Sequence, residues 1–325
     1  MAAATGASLQ ARSTASPAIA GTPLEPLSTS TAGLLRSAEP TPTLTTAPTL
    51  ATSTMSISSP ASPSTAPTAC PFEPAIACDA PPAPTALPTL GQLPSSQAAL
   101  HVPILEYHRV KPYSGETGSA VGLVVPPETF RAQMDALQAD GWRTITMGEL
   151  GDDLRLGRQP PSRTFVITLD DGYEDGFTYA FPILRSHAFV ATFFVIAGLI
   201  GTPDRLNQDE LLDLASTGNE IGNHTMRHTD MRVMTAERLV TETYGASAVI
   251  AAYVGIWPRS FCYPMGLTYA PSTAAVAATP GMLTAVIQGG SGPETWADRL
   301  QLPRLRVTPG TYPDNLVARM RRLGS

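Results

Sequence analysis

A single lysine, Lys111, and only three cysteines stand in this 325-residue chain. Its 21 basic and 27 acidic side chains give a net charge of −6. With no basic footprint, a nucleic-acid partner and polyanionic substrates are disfavoured. Twenty arginines against that one lysine read as the codon bias of a GC-rich genome. No apolar run reaches the length of a membrane span, and the first residues lack the basic start and apolar centre of a secretory signal. Cys70 and Cys78 lie in proline-rich sequence, where an oxidising compartment would let them pair. Cys262 lies in an apolar run and reads as a small core residue. No histidine follows His228.

Residues 1–100 hold 16 of the 32 prolines and six charges: Arg12, Glu25, Arg36, Glu39, Glu73 and Asp79. Such a stretch has no periodic apolar face to offset the entropy of ordering. The expectation is a disordered Pro/Thr/Ser/Ala-rich segment or linker over 1–100 and one folded domain over 101–325, long enough to bury a sizeable core. A tether ahead of a folded unit is a frequent build of enzymes that work outside the cell. An extracellular or cell-envelope location without a recognisable signal peptide is therefore expected, with the cytoplasm as the other option, and a monomer is favoured.

From residue 101 short apolar runs alternate with amphipathic stretches. Strands are expected at 102–107, 143–146, 164–169, 190–196, 220–222, 260–263, 282–287 and 302–307. Helices are expected between them, at 127–139, 147–154, 175–186, 207–216, 235–254, 271–278 and 312–322. This order predicts an α/β fold, a distorted or incomplete (β/α) barrel of seven or eight mainly parallel strands. The barrel is preferred to an open sheet because the candidate site residues fall at the C-terminal ends of several strands.

Those residues are Asp170 and Asp171, ending the apolar run Thr164 to Leu169, and the pair His224 and His228. Two imidazoles four apart in a helical turn point the same way, and with one carboxylate they leave metal positions open for water and substrate. The second carboxylate is then free to act as a general base. Spacing alone does not say which aspartate does which. His101 and His187 read as solvent-facing.

On its motifs the chain from about 101 to 310 resembles the polysaccharide deacetylases of the NodB-homology type, carbohydrate esterase family 4. Thr168-Leu-Asp-Asp-Gly172 resembles the family's first motif, with Leu169 in place of an aromatic residue, and His224-Thr-Met-Arg-His228 its second. The resemblance implies Asp171, His224 and His228 as metal ligands and Asp170 as base. Zinc is the expected metal, and cobalt, nickel or manganese suit the same donors. Arg259-Ser-Phe-Cys-Tyr-Pro-Met-Gly266 resembles the third motif and implies the Tyr263 N–H as oxyanion donor. Pro303-Arg-Leu-Arg-Val307 resembles a later motif whose arginine pairs with the base; Arg304 is the candidate, with Arg306 and Arg299 as fallbacks.

The usual C-terminal Leu-x-His is absent. Val102-Pro-Ile-Leu-Glu-Tyr-His-Arg109 instead resembles the opening strand of the poly-N-acetylglucosamine deacetylase subgroup, which implies His108 as general acid. Tyr107, Pro264 and Met265 are the expected sugar-facing residues. The activity implied is metal-dependent removal of N-acetyl groups from an amino-sugar polymer such as poly-N-acetylglucosamine, chitin or peptidoglycan, with release of acetate. An O-acetyl esterase on xylan-type polysaccharide and an inactive carbohydrate-binding barrel are the alternatives.

Overall fold

The computed structural model describes residues 81–84 and 99–324. The remainder of the expected 1–100 segment, with Cys70 and Cys78, lies outside the described residues.

The chain runs β1 (Ile104–Tyr107), β2 (Arg109–Val110), β3 (Val124–Val125), α1 (Pro127–Ala139), β4 (Arg143–Ile145), α2 (Met147–Leu156) and β5 (Thr164–Leu169). There follow α3 (Phe181–Ser186), β6 (Thr192–Val195), α4 (Gln208–Ser216), β7 (Glu220–Asn223), α5 (Ala236–Val240) and α6 (Ala246–Val254). The chain closes with β8 (Ser260–Cys262), α7 (Ala270–Ala277), β9 (Thr284–Val286), β10 (Leu305–Arg306) and α8 (Pro313–Leu323). α1 begins at Pro127, whose fixed φ and missing N–H suit a first helical turn. Thr146 and Asn207 open α2 and α4 with reciprocal capping boxes to Glu149 and Glu210.

The main sheet runs β10-β1-β5-β6-β7-β8-β9, with β4 added beside β5. Every pairing in it is parallel. Between β9 and β1 the ring is patched by residues 302–306: Val286 bridges Leu302 in parallel, and β10 pairs with β1. The result is the distorted, incomplete barrel the element order predicts. The short β2–β3 pair is an addition, because two-residue strands carry no periodic signal.

Alternation along β5 sorts its side chains between two cores. Phe165, Ile167 and Leu169 pack with Phe130 and Met134 of α1 on the helix side. Val166 joins Ile104, Phe194, Cys262 and Val286 from four other strands. By the same alternation Thr168 and Asp170 follow Val166 towards the interior, so β5 delivers Asp170 to the barrel mouth.

Gly222 of β7 sits where a Cβ would lie 2.4 Å from the Phe194 ring. Gly222→Ala is expected to cost about 1–3 kcal/mol by overpacking, read as a lowered thermal midpoint. An unchanged midpoint would show that Phe194 moves aside freely.

Two features depart from expectation. His187 is buried rather than solvent-facing, with Nε2 2.7 Å from Asp135 Oδ1 and Nδ1 2.7 Å from the Ile183 carbonyl. It ends α3 where α1 packs across, and both ring nitrogens find acceptors there. Residues 81–84 lie against the folded domain: the Trp257 indole N–H donates to the Pro81 carbonyl at 2.8 Å, and Pro84 crosses close above Gly281. Trp257 and Gly281 precede β8 and β9, so this segment runs past the strand ends opposite Asp170.

Candidate active site

The Asp170 N–H still donates to the Tyr107 carbonyl at 3.0 Å, continuing the strand ladder. The chain then turns sharply: Asp171 has φ 72 and Gly172 φ 66, and a Cβ on Gly172 would meet Val195 at 3.0 Å. Arg205 holds this turn by donating to the Asp171 carbonyl at 2.8 Å, and its guanidinium and that of Arg109 flank the Tyr173 ring at 3.9 and 4.0 Å. Adjacent aspartates are thereby sent in different directions.

His224 follows β7, and its N–H donates to the Val195 carbonyl at 2.9 Å. The expected helical turn is not what aligns it with His228. Thr225 and His228 have φ 68 and 54, and the Thr225 hydroxyl accepts the His228 N–H at 2.9 Å. A left-handed loop performs the convergence, anchored by Glu242, whose buried carboxylate accepts the N–H groups of Met226 and Arg227 at 2.9 Å each. Sequence reasoning missed Glu242; its one signal was an acidic residue inside the helix expected at 235–254. It sits in a π-helical turn, Thr241–Gly245, of the kind that often accompanies functional sites.

His224 Nε2 and His228 Nε2 lie 3.3 and 3.5 Å from Asp171 Oδ1, with the two rings edge-on at 4.7 Å. The donor atoms of the three all fall within 4.8 Å of one another. His224 Nδ1 donates to the Cys262 carbonyl at 2.8 Å, which keeps the proton there and leaves Nε2 to face Asp171. Burial opposes a charged His224, yet Cys262 and Asp171 raise its pKa well above the ordinary value. Burial and His224 lower that of His228. A carboxylate facing two imidazole nitrogens in a buried corner suits a divalent cation, and these residues fit one.

Arg304, the expected partner of Asp170, grips it with two parallel hydrogen bonds of 2.7 Å, donates to the Thr168 hydroxyl at 2.9 Å, and is 2% exposed. Burial alone would raise the Asp170 pKa; the Arg304 guanidinium overrides it and holds the carboxyl far below the usual carboxylate range. The fallback arginines are elsewhere: Arg306 reaches Glu106 at 3.6 Å, and Arg299 lies over Trp296. The Cys262 thiol donates to Asp170 Oδ2 at 3.5 Å, so this core residue also lines the site.

His108, just past the end of β1, has its Nε2 4.0 Å from Asp170 Oδ2. Burial lowers its pKa against the pull of Asp170 and Asp171. Three assignments need correction. Tyr107 is wholly buried, its hydroxyl donating to Gln133 at 2.9 Å and its ring edge-on to Phe130, because alternation turns it to the helix side. Pro264 is buried as well, and of the expected sugar-facing trio only Met265 is exposed. The Tyr263 N–H donates to the Val286 carbonyl at 3.2 Å, so pairing with β9 commits the amide expected at the oxyanion.

A parallel barrel that presents a His-His-Asp donor set beside an arginine-held carboxylate at its strand ends defines a hydrolase class. The chain matches the model of the polysaccharide deacetylase family over residues 157–284, from the approach to β5 through the start of β9. It is 28% identical to YxkH of Bacillus subtilis over 209 residues, 64% of this chain and 72% of that protein. It is 29% identical over 92 residues to the poly-β-1,6-N-acetyl-D-glucosamine N-deacetylase of Escherichia coli, a match spanning 27% of this chain and 14% of that one. Among solved structures, the Streptococcus pyogenes deacetylase PplD, in complex with acetate, superposes with a TM-score of 0.64 at 25% identity, covering 69% of this chain and 99% of that one.

Proposed function

We propose that this protein removes N-acetyl groups from a polymer of N-acetylated amino sugars, poly-N-acetylglucosamine being the first candidate. Asp171, His224 and His228 would hold a divalent metal, zinc by preference, which when bound would polarise the acyl carbonyl and acidify water. The observation that carries the reading is Asp170, locked by Arg304 beside that donor set with His108 Nε2 4.0 Å away. Asp170 accepts the proton of the attacking water, and Arg304 keeps it ionised until then. His108 gives a proton to the departing nitrogen. An amine leaves an amide only once protonated, so a histidine at this point favours the amide over the ester substrate. The named substrate of the E. coli relative supports the same polymer.

We further place the protein outside the cell or in its envelope, where such polymers are found. Among the described residues no helix is long and apolar enough to cross a membrane.

Incubation with penta-N-acetylchitopentaose, poly-β-1,6-N-acetylglucosamine and acetylated xylan tests the reading. Acetate and free amine should appear in equal amounts from an N-acetylglucosamine polymer, vanish on chelation and return with zinc or cobalt. Acetate from xylan alone would establish the esterase instead, and none from any substrate would end the enzymatic reading.

A further inference from the structure

Glu106 is 1% exposed on β1, and its Oε2 has no hydrogen-bond donor among the described residues. A buried carboxyl oxygen without a donor is costly, so a well-packed barrel retains one where it serves something else. Two residues further on, just past the end of β1, stands His108. Its Nδ1 lies 3.9 Å from Glu106 Oε1, while its Nε2 points the other way, to Asp170. Arg304 and Arg306 face the carboxyl from β10 and its approach at 3.7 and 3.6 Å.

We propose that Glu106 is a positioning residue for His108: its carboxylate holds the Nδ1 side of the ring, so that Nε2 is the nitrogen that delivers a proton to the leaving group. The inference rests on the reading of His108 as general acid. A carboxylate behind an imidazole selects one tautomer and supports the cation the ring becomes when charged. The groups around His108 are Glu106 near the end of β1, Asp170 and Asp171 beyond β5, and Arg304 and Arg306 across from it. The two arginines oppose its charge, so a carboxylate on the Nδ1 side counters them. Burial, with Asp170 nearby, leaves the Glu106 pKa above the ordinary carboxylate value although Arg304 and Arg306 pull it back.

The test compares an amide with an ester whose leaving group needs no proton. Full-length protein loaded with zinc is assayed on penta-N-acetylchitopentaose and on 4-nitrophenyl acetate. Glu106→Gln should lower kcat on the chitooligosaccharide by at least about tenfold, move KM less than about twofold, and lower the ester rate far less. The alkaline limb of its amide profile should shift to lower pH, because an imidazolium that has lost its carboxylate gives up its proton sooner. Glu106→Asp, which keeps the charge, should restore the limb. Equal losses on both substrates, an unchanged amide rate, or an Asp variant that behaves like the Gln variant would each overturn the proposal. His108→Ala separates the two readings: if it shows no amide-specific loss, the general acid is misassigned. If it does and Glu106→Gln does not, only the role of Glu106 falls.

Discussion

Asp170→Asn is expected to lower acetate release by about 10²- to 10⁴-fold, the loss typical of removing a positioned base. The Asn side chain fits the same space and still offers Arg304 one oxygen, so positioning survives and proton acceptance does not. Metal content should stay unchanged, because the convergent donors are Asp171, His224 and His228. The substitution also takes from the 2%-exposed Arg304 the carboxylate it grips, leaving only Glu106 at 3.7 Å, and breaking a buried pair costs about 3–5 kcal/mol. Acetate assay, zinc analysis and denaturant unfolding of one preparation check all three. Zinc lost together with activity would mean that the two aspartates have exchanged roles; more than about a tenth of the rate remaining would remove Asp170 as base.

Arg304→Met should be the most destabilising single change near the site, again by about 3–5 kcal/mol at neutral pH, because it strands the buried Asp170 carboxylate. In the parent protein Arg304 depresses the Asp170 pKa below its unfolded value, so this pair stabilises the fold above the ordinary carboxylate range and loses that contribution as pH falls through the depressed value. Without the guanidinium only His108 and His224 oppose burial, the largest influence, which then drives the folded pKa above the unfolded one. The sign then inverts. The variant becomes relatively less unstable as the medium is acidified, since protonation removes the stranded charge. Its activity should behave oppositely, with the acid limb of kcat/KM moving to higher pH as the base becomes harder to ionise. Unfolding at about pH 5 and pH 8, beside the pH profile, measures both. An acid limb that stays in place would show that Arg304 does not tune Asp170.

Elements with strong periodicity are legible in the sequence alone. β5 falls at Thr164–Leu169 and α1 at Pro127–Ala139, as expected, because a buried apolar run and a proline-started amphipathic helix each write their boundaries locally. The candidate ligands are legible for a chemical reason: few other uses bring two aspartates and two histidines to strand ends. Expectation and structure part where an outcome depends on what packs alongside. Tyr107 looks sugar-facing beside His108, yet successive strand residues face opposite sides, and the side with His108 excludes Tyr107. Tyr263 has the motif of an oxyanion donor, and β9 takes its N–H. The two histidines converge through the left-handed backbone at Thr225 and His228 and the buried Glu242, none of which a helical spacing rule describes.

By itself, then, the sequence determined the order of strands and helices and marked Asp170, Asp171, His224 and His228 as candidate site residues, since both follow from side-chain type and local spacing. Only the tertiary structure decided that Arg304 rather than Arg299 or Arg306 meets Asp170, 134 residues away, and that Glu106 stands behind His108. Closing the barrel sets those distances, and the cost of burying an unpaired charge selects which arginine is admitted to its interior.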